Sequence, residues 1–110
     1  MSQTTAYDVI HKVISDKCIT EYHIVDVGTW EHFESLSNFF EQQYRAKITH
    51  KTDGIYTREW GFRCRDEEFI LKHHEDIGNY FYSTQNAHSK LLETIAEDLT
   101  QRLRDVPYET

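Results

Sequence analysis

Hydrophobic residues at intervals of three and four predict helices in three stretches of the chain. The first stretch, Thr5 to Asp16, places Tyr7, Ile10 and Ile14 on one face. The second, Trp30 to Tyr44, carries a stripe of aromatic and leucine side chains flanked by acidic and amide residues. Such a stripe is typical of a helix that packs on a core with one face.

The third helical pattern, near the end of the chain, is the most regular. Its apolar residues follow the spacing i, i+3, i+4, i+7 and i+11, as a helix lying on a sheet requires. Pro107 follows the pattern and favours termination of the helix. The stripe consists of Leu92, Ile95, Ala96, Leu99 and Leu103.

Between the helices, β-branched and aromatic residues predict strands. Ile19 to Val27 reads as one strand that ends at Gly28, and Ala46 to Ser83 reads as an antiparallel meander. The Asp53-Gly54 dipeptide predicts a tight hairpin turn within the meander. Period-two alternation then places Trp60, Phe62 and Cys64 on one face of their strand. In the next strand, Phe69, Leu71 and His73 alternate with Ile70, Lys72 and His74.

The predicted order of elements is α-β-α-β-β-β-β-α. A length of 110 residues suits a single domain spanning residues 1–110. The simplest arrangement is an α+β fold, in which an antiparallel sheet of four to five strands carries the helices on one face.

The charge of the chain narrows the classes of partner. With 12 basic and 19 acidic residues, the formal net charge is -7. A nucleic-acid-binding surface needs an excess of lysine and arginine, so direct nucleic-acid binding is not expected. A basic protein, by contrast, would be attracted and would associate faster at low salt.

Targeting signals and cysteine usage predict a cytoplasmic protein. The sequence contains no apolar run long enough to cross a membrane, and Met1 to Asp8 does not resemble a signal peptide. Cys18 and Cys64 are far apart in sequence and are expected to be free thiols.

The richest chemical cluster is His73-His74-Glu75-Asp76, since imidazole and carboxylate groups bind zinc or transfer protons. In a strand, however, His73 and His74 point to opposite faces and do not share a site. We therefore predict no catalytic residue, no metal and no cofactor. An enzyme or ligand-binding protein with a histidine–carboxylate pocket remains an alternative.

Acidic residues crowd the turns of the predicted meander, next to large aromatic side chains. Asp66 to Glu68 lie at one end of the sheet, whereas Asp53, Glu75 and Asp76 lie at the other. Acidic and aromatic residues together suit the binding of a basic protein surface, and the three consecutive acids favour the first end. The predicted partner-binding residues are Asp66, Glu67, Glu68, Glu75, Asp76, Trp60 and Tyr80.

Two segments resemble small bacterial immunity proteins that are encoded beside polymorphic or contact-dependent toxins. These are WGFRCRDEEFILKHHEDIGNYFYS and LLETIAEDLTQRL, and the similar region runs from Trp30 to Leu103. Several uncharacterised bacterial α+β families are similar as well. The resemblance implies a non-enzymatic inhibitor that blocks the active site of a basic toxin. A structural or regulatory homo-oligomer is a further alternative, and the sequence leaves the oligomeric state open.

Overall fold

The computed structural model describes residues 10–24, 30–86 and 89–105. In these ranges the chain forms two helices and six strands. The elements in chain order are β1 (Ile10–Ile14), β2 (Thr20–Ile24), α1 (Trp30–Tyr44), β3 (Lys47–Asp53), β4 (Thr57–Cys64), β5 (Glu67–His74), β6 (Gly78–Ser83) and α2 (Lys90–Asp105).

The six strands form one sheet in the order β1-β2-β6-β5-β4-β3, and every neighbouring pair is antiparallel. The α+β class and the antiparallel sheet are therefore confirmed, but the sheet has six strands instead of four to five. None of the helices in the described ranges is both long and apolar enough to cross a membrane.

The additional strand replaces the first predicted helix. Ile10–Ile14 is β1, and it pairs with β2 through a short turn in which Cys18 adopts a left-handed φ of 63°. The helical prediction is wrong here because Ile10 and Ile14 fit a period of two as well as a period near four. Pairing with β2 selects the extended form, which β-branched residues favour. The remainder of that prediction, residues 5–9, lies outside the described residues.

The second predicted helix has the bounds found for α1, and α2 extends the predicted stripe at both ends. After α1, Arg45 adopts a φ of 55° and the Ala46 amide donates to the Phe40 carbonyl at 3.2 Å, which turns the chain into β3. The α2 helix starts from Ser89, whose Oγ accepts from the Leu92 amide at 3.1 Å as an N-cap.

The predicted alternation in β4 and β5 is confirmed. Phe62 lies opposite Phe69, and Trp60 lies opposite Leu71, so each pair faces the same side of the sheet. This side is buried beneath the helices. The Phe40 ring of α1 packs edge-on against three sheet residues, with centroid distances of 5.3, 5.2 and 5.5 Å to Phe62, Phe69 and Phe81.

The connection between β3 and β4 is longer than the expected two-residue turn. The loop between the two strands consists of residues 54–56, and the Gly54 amide donates to the Thr57 carbonyl at 2.7 Å. The added length carries Ile55 and Tyr56 away from the sheet into solvent.

Leu99 is buried between α2 and the sheet. We expect Leu99→Ala to lower the free energy of unfolding by about 2–5 kcal/mol, because the substitution leaves a cavity in the core. Denaturant titration measures the change, and Glu97→Ala, at an exposed position of the same helix, is the matched control. A loss below about 0.5 kcal/mol, the range of surface substitutions, would mean that α2 is peripheral.

Candidate functional site

Three segments meet at one end of the sheet, which we call the Trp30 end. It comprises Trp30 at the start of α1, the loop residues 54–56 and the turn residues 75–77. The Glu75 amide donates to the Tyr56 carbonyl at 3.0 Å, so the loop and the turn are joined by a backbone hydrogen bond. The opposite end of the sheet carries the β4–β5 turn, and we call that turn with its flanking acids the Asp66 end.

Exposed apolar side chains are concentrated at the Trp30 end. The exposed fractions are 84% for Ile55, 63% for Tyr56, 55% for Ile77 and 39% for Trp30. These are four of the six large apolar side chains that are exposed in the described part of the chain. Burying such side chains is a source of binding free energy, and clusters of them mark interaction sites.

Carboxylates surround these apolar groups. Asp53, Glu75 and Asp76 are exposed at the turns, and Glu31 and Glu34 are exposed on the first turns of α1. The combination gives the Trp30 end a negative field around an apolar centre. A surface of this kind attracts a basic partner electrostatically and holds it by apolar contact.

The buried side chain of Arg58 packs against the inner face of the Trp30 end. The Arg58 side chain is 6% exposed, and its guanidinium carbon lies 4.5 Å from the Trp30 ring centroid, 4.9 Å from Phe33 and 4.8 Å from Trp60. Each distance is within the range of a cation–π interaction. Arg58 thus joins β4 to the first turns of α1 and fixes the underside of the Trp30 ring.

Two carboxylates balance the charge of Arg58. Its Nε donates to Asp53 Oδ1 at 3.2 Å, and one Nη donates to Glu34 at 3.3 Å. Trp60 Nε1 also donates to Asp53 Oδ1, at 2.8 Å. The hydrogen bonds from Trp60 and then Arg58 hold the pKa of Asp53 below its ordinary value. The other Nη of Arg58 is buried without a hydrogen-bond partner, which makes the surrounding rings its main compensation.

The two neighbouring histidines lie on opposite faces of the sheet, as predicted. His73 is buried on the helix side, where Nδ1 lies 2.8 Å from Asn79 Oδ1 and the ring meets Trp30 edge-on at 5.4 Å. His74 lies on the other side and its Nδ1 accepts from the Asp76 amide at 3.1 Å. The imidazoles therefore have separate structural partners, one supporting Trp30 and one shaping the acidic turn.

Two of the predicted partner-binding aromatics are buried. Trp60 is 6% exposed beneath α1. Tyr80 is 8% exposed on the opposite face of the sheet, where its ring stacks on His23 at 4.5 Å. Burial raises the pKa of Tyr80 to about 12. Because the alternation of β4 and β6 turns these rings to opposite faces, they do not form one surface with each other.

The acids of the Asp66 end have different surroundings from one another. Asp66 is exposed, Glu67 is half-buried with Oε2 unpartnered, and Glu68 pairs with Arg63 at 2.9 Å. Arg65 sits in the same turn. The two arginines offset much of the negative charge that the sequence run suggests, and the turn between β4 and β5 consists of polar residues.

Sequence reasoning did not select Trp30, Ile55, Ile77 or Arg58. A local signal for two of them exists, since DGIY and EDIG each place an isoleucine in an otherwise polar turn. No local signal marks Arg58, because its burial depends on rings that come from α1 and β4.

Removing the Arg58 guanidinium should lower the stability of the fold and increase the solvent exposure of the tryptophans at the Trp30 end. We expect Arg58→Ala to destabilise the fold by about 2–4 kcal/mol, since a buried side chain and its ring contacts are lost. Arg58→Lys should recover part of this, because lysine keeps the charge but not the planar stacking. Denaturant titration gives the stability, and acrylamide quenching reports the exposure of Trp30 and Trp60. Unchanged quenching and stability in Arg58→Ala would contradict the support role.

The lowered pKa of Asp53 predicts an acid-sensitive contribution to stability. A carboxyl whose pKa is lower in the folded state stabilises the fold above its unfolded value, ordinarily 3.8, and this contribution is lost as the pH falls through the folded value. We therefore expect wild type to lose more stability than Asp53→Asn when the pH is lowered from about 5 to about 2. Urea titrations at each pH measure the difference. Parallel curves for the two proteins would show that Asp53 is not linked to folding.

Comparison of the chain with models of protein families, with curated proteins and with solved structures finds no match.

Proposed function

We propose that this chain is a non-enzymatic protein-binding domain that holds a basic partner surface with its Trp30 end. The observation that carries the proposal is the coincidence, at one end of the sheet, of four exposed large apolar side chains with exposed carboxylates. The formal net charge of -7 acts in the same direction, because it accelerates the approach of a basic partner.

Apolar exposure decides between the two acidic ends. The Asp66 end has the longer run of acids, but its arginines offset the charge and its turn offers no large apolar group. Charge alone mainly raises the association rate, whereas affinity depends on buried aromatic and apolar anchors. The Trp30 end supplies both, and this favours it over the end that the acidic run suggested.

The Trp30 end is also held in place before any partner binds. The Trp30 ring packs on the Arg58 guanidinium from below and on His73 at its edge. The loop and the turn that carry Tyr56 and Ile77 are hydrogen-bonded to each other. An anchor that is already ordered loses less conformational entropy on binding, so the same contacts give a higher affinity.

An immunity protein that blocks a basic toxin is the specific form of this function that the sequence resemblance implies. The support for it is the acidic charge of the chain and the apolar centre of the Trp30 end, which suit a cationic active site. In that case an equimolar mixture of the chain and the toxin domain loses the enzymatic activity of the toxin.

The binding proposal predicts different effects for the apolar and the acidic residues of the Trp30 end. The double substitution Tyr56→Ala and Ile77→Ala should weaken partner binding about ten- to a hundred-fold, mainly by faster dissociation, because anchor side chains are removed. The substitutions Glu75→Gln and Asp76→Asn should slow association several-fold at low salt and have less effect on dissociation. The substitutions at Glu75 and Asp76 leave the apolar centre unchanged, and those at Tyr56 and Ile77 leave the carboxylates in place. Charge and apolar contact are therefore tested separately.

The partner is isolated by affinity capture from cells that express the chain natively, and surface plasmon resonance then measures the rates. A matched control is the variant with Asp66→Asn and Glu68→Gln at the Asp66 end, which should bind like wild type. Circular dichroism confirms folding of every variant. If the Asp66-end variant loses the partner and the Trp30-end variants retain it, the acidic run is the binding surface and the proposal is wrong.

A further inference from the structure

The two edge strands of the sheet differ in their protection against pairing with another strand. The β3 edge carries Lys47 and Lys51, and its register with β4 shifts between Ile48 and His50. Lysines and bulges on an edge discourage the addition of a further strand. These features make β3 a poor docking edge.

The β1 edge has fewer such features. Its register with β2 is regular, and Val13 and Ile14 are 43% and 64% exposed. Its single lysine, Lys12, is directed to α2, where Nζ lies 2.9 Å from Glu93. In the described part of the chain β1 pairs with β2 alone, so no described strand lies on its outer side.

The hydrogen-bonding groups on that outer side can be assigned from the register. The Ser15 amide donates to the Ile19 carbonyl at 2.9 Å, and these two residues continue the β1–β2 register. In an antiparallel pair, residues whose groups face the neighbouring strand alternate with residues whose groups face away. The amides and carbonyls of Ile10, Lys12 and Ile14 therefore face outward.

The side chains of β1 are complementary to those of a second β1. Ile10 and Ile14 lie on the helix side of the sheet, opposite the buried residues Ile24 and Thr20. Beside Ile10 is a small cavity of about 110 Å³ between β1 and α2, whose lining includes the apolar side chains of Ile10 and Ala96 and the carboxylates of Glu93 and Glu97. Exposed Ile14 is thus an apolar projection, and the cavity beside Ile10 is a recess at the other end of the same strand.

We propose that the chain forms a two-fold symmetric dimer in which β1 pairs antiparallel with β1 of a second copy, centred on Lys12. This register places Ile14 of each copy opposite Ile10 of the other, at the recess beside α2. One contact is thereby made twice, as a two-fold interface requires. The result is a continuous sheet with six strands from each copy.

The charges along this edge suit the same symmetry. Lys12 contacts Glu93, so α2 passes near the two-fold axis at Glu93. Lys90 precedes Glu93 and Glu97 follows it, and both side chains are exposed. The two-fold therefore directs Lys90 of each copy toward Glu97 of the other. The two Lys12 side chains meet at the axis, and each is already paired with a carboxylate.

Sedimentation equilibrium of the full chain from about 1 µM to about 1 mM tests the dimer, since a five-residue strand pair is expected to give a weak, concentration-dependent association. Ile14→Glu should weaken dimerisation at least ten-fold, because it removes the apolar contact and places a carboxylate beside Glu93 and Glu97 of the recess. Ile55→Glu makes the same change at an exposed position of the Trp30 end and should leave dimerisation unchanged.

A cysteine pair tests the register. Residues at position 12 of the two copies would form a directly opposed, hydrogen-bonded pair with Cα atoms about 5.5 Å apart, within the roughly 4.4–6.8 Å that a disulfide spans. In a Cys18→Ser background, Lys12→Cys should form an intermolecular disulfide under mild oxidation, and Thr52→Cys on β3 should not. A chain that remains monomeric at all concentrations overturns the proposal. A dimer that is insensitive to Ile14→Glu, or that does not cross-link at position 12, overturns it as well.

Discussion

The packing of one aromatic ring on the sheet holds this fold together. Phe40 of α1 contacts Phe62, Phe69 and Phe81, which belong to three adjacent strands. Edge-to-face packing restricts both the distance and the angle between the rings, so it fixes the position of α1 as well as its burial. Because α1 is a rigid helix, the same contact also determines where its first residue, Trp30, emerges at the end of the sheet.

Arg58 makes a second contact that positions α1 on the sheet. Its guanidinium fills the space between the first turns of α1 and β4, where rings from both elements surround it. The charge is tolerated at this depth because Asp53 and Glu34 reach it from the surface. The arrangement explains how a half-exposed tryptophan is held in place beside two exposed turns. The two surfaces with exposed apolar groups are separate. The Trp30 end lies at the ends of β4 and β5, whereas β1 is an edge strand beyond β6 and β2.

Several elements were predictable because their local pattern and their tertiary environment agree. The apolar stripe of α1 coincides with the buried face of the helix, and the predicted range, Trp30 to Tyr44, matches the bounds of the helix. In β4 and β5 the apolar alternation matches the face of the sheet that the helices cover. The β1 strand shows the opposite case. Its isoleucines fit a helical period and a strand period equally well, so the choice depended on pairing with β2, and pairing is not encoded in Ile10–Ile14 alone.

By itself the sequence determined the α+β class, the acidic charge, the alternation along β4 and β5 and the separation of His73 from His74. Each of these follows from composition or from a period of two or near four along a short segment. The tertiary structure alone decided that Trp60 and Tyr80 are buried and that Arg58 lies in an aromatic cage. It also decided which acidic end is accompanied by exposed apolar groups. The reason is physical. Exposure and charge compensation depend on which residues from distant segments of the chain come into contact, and a local sequence pattern carries no information about those contacts.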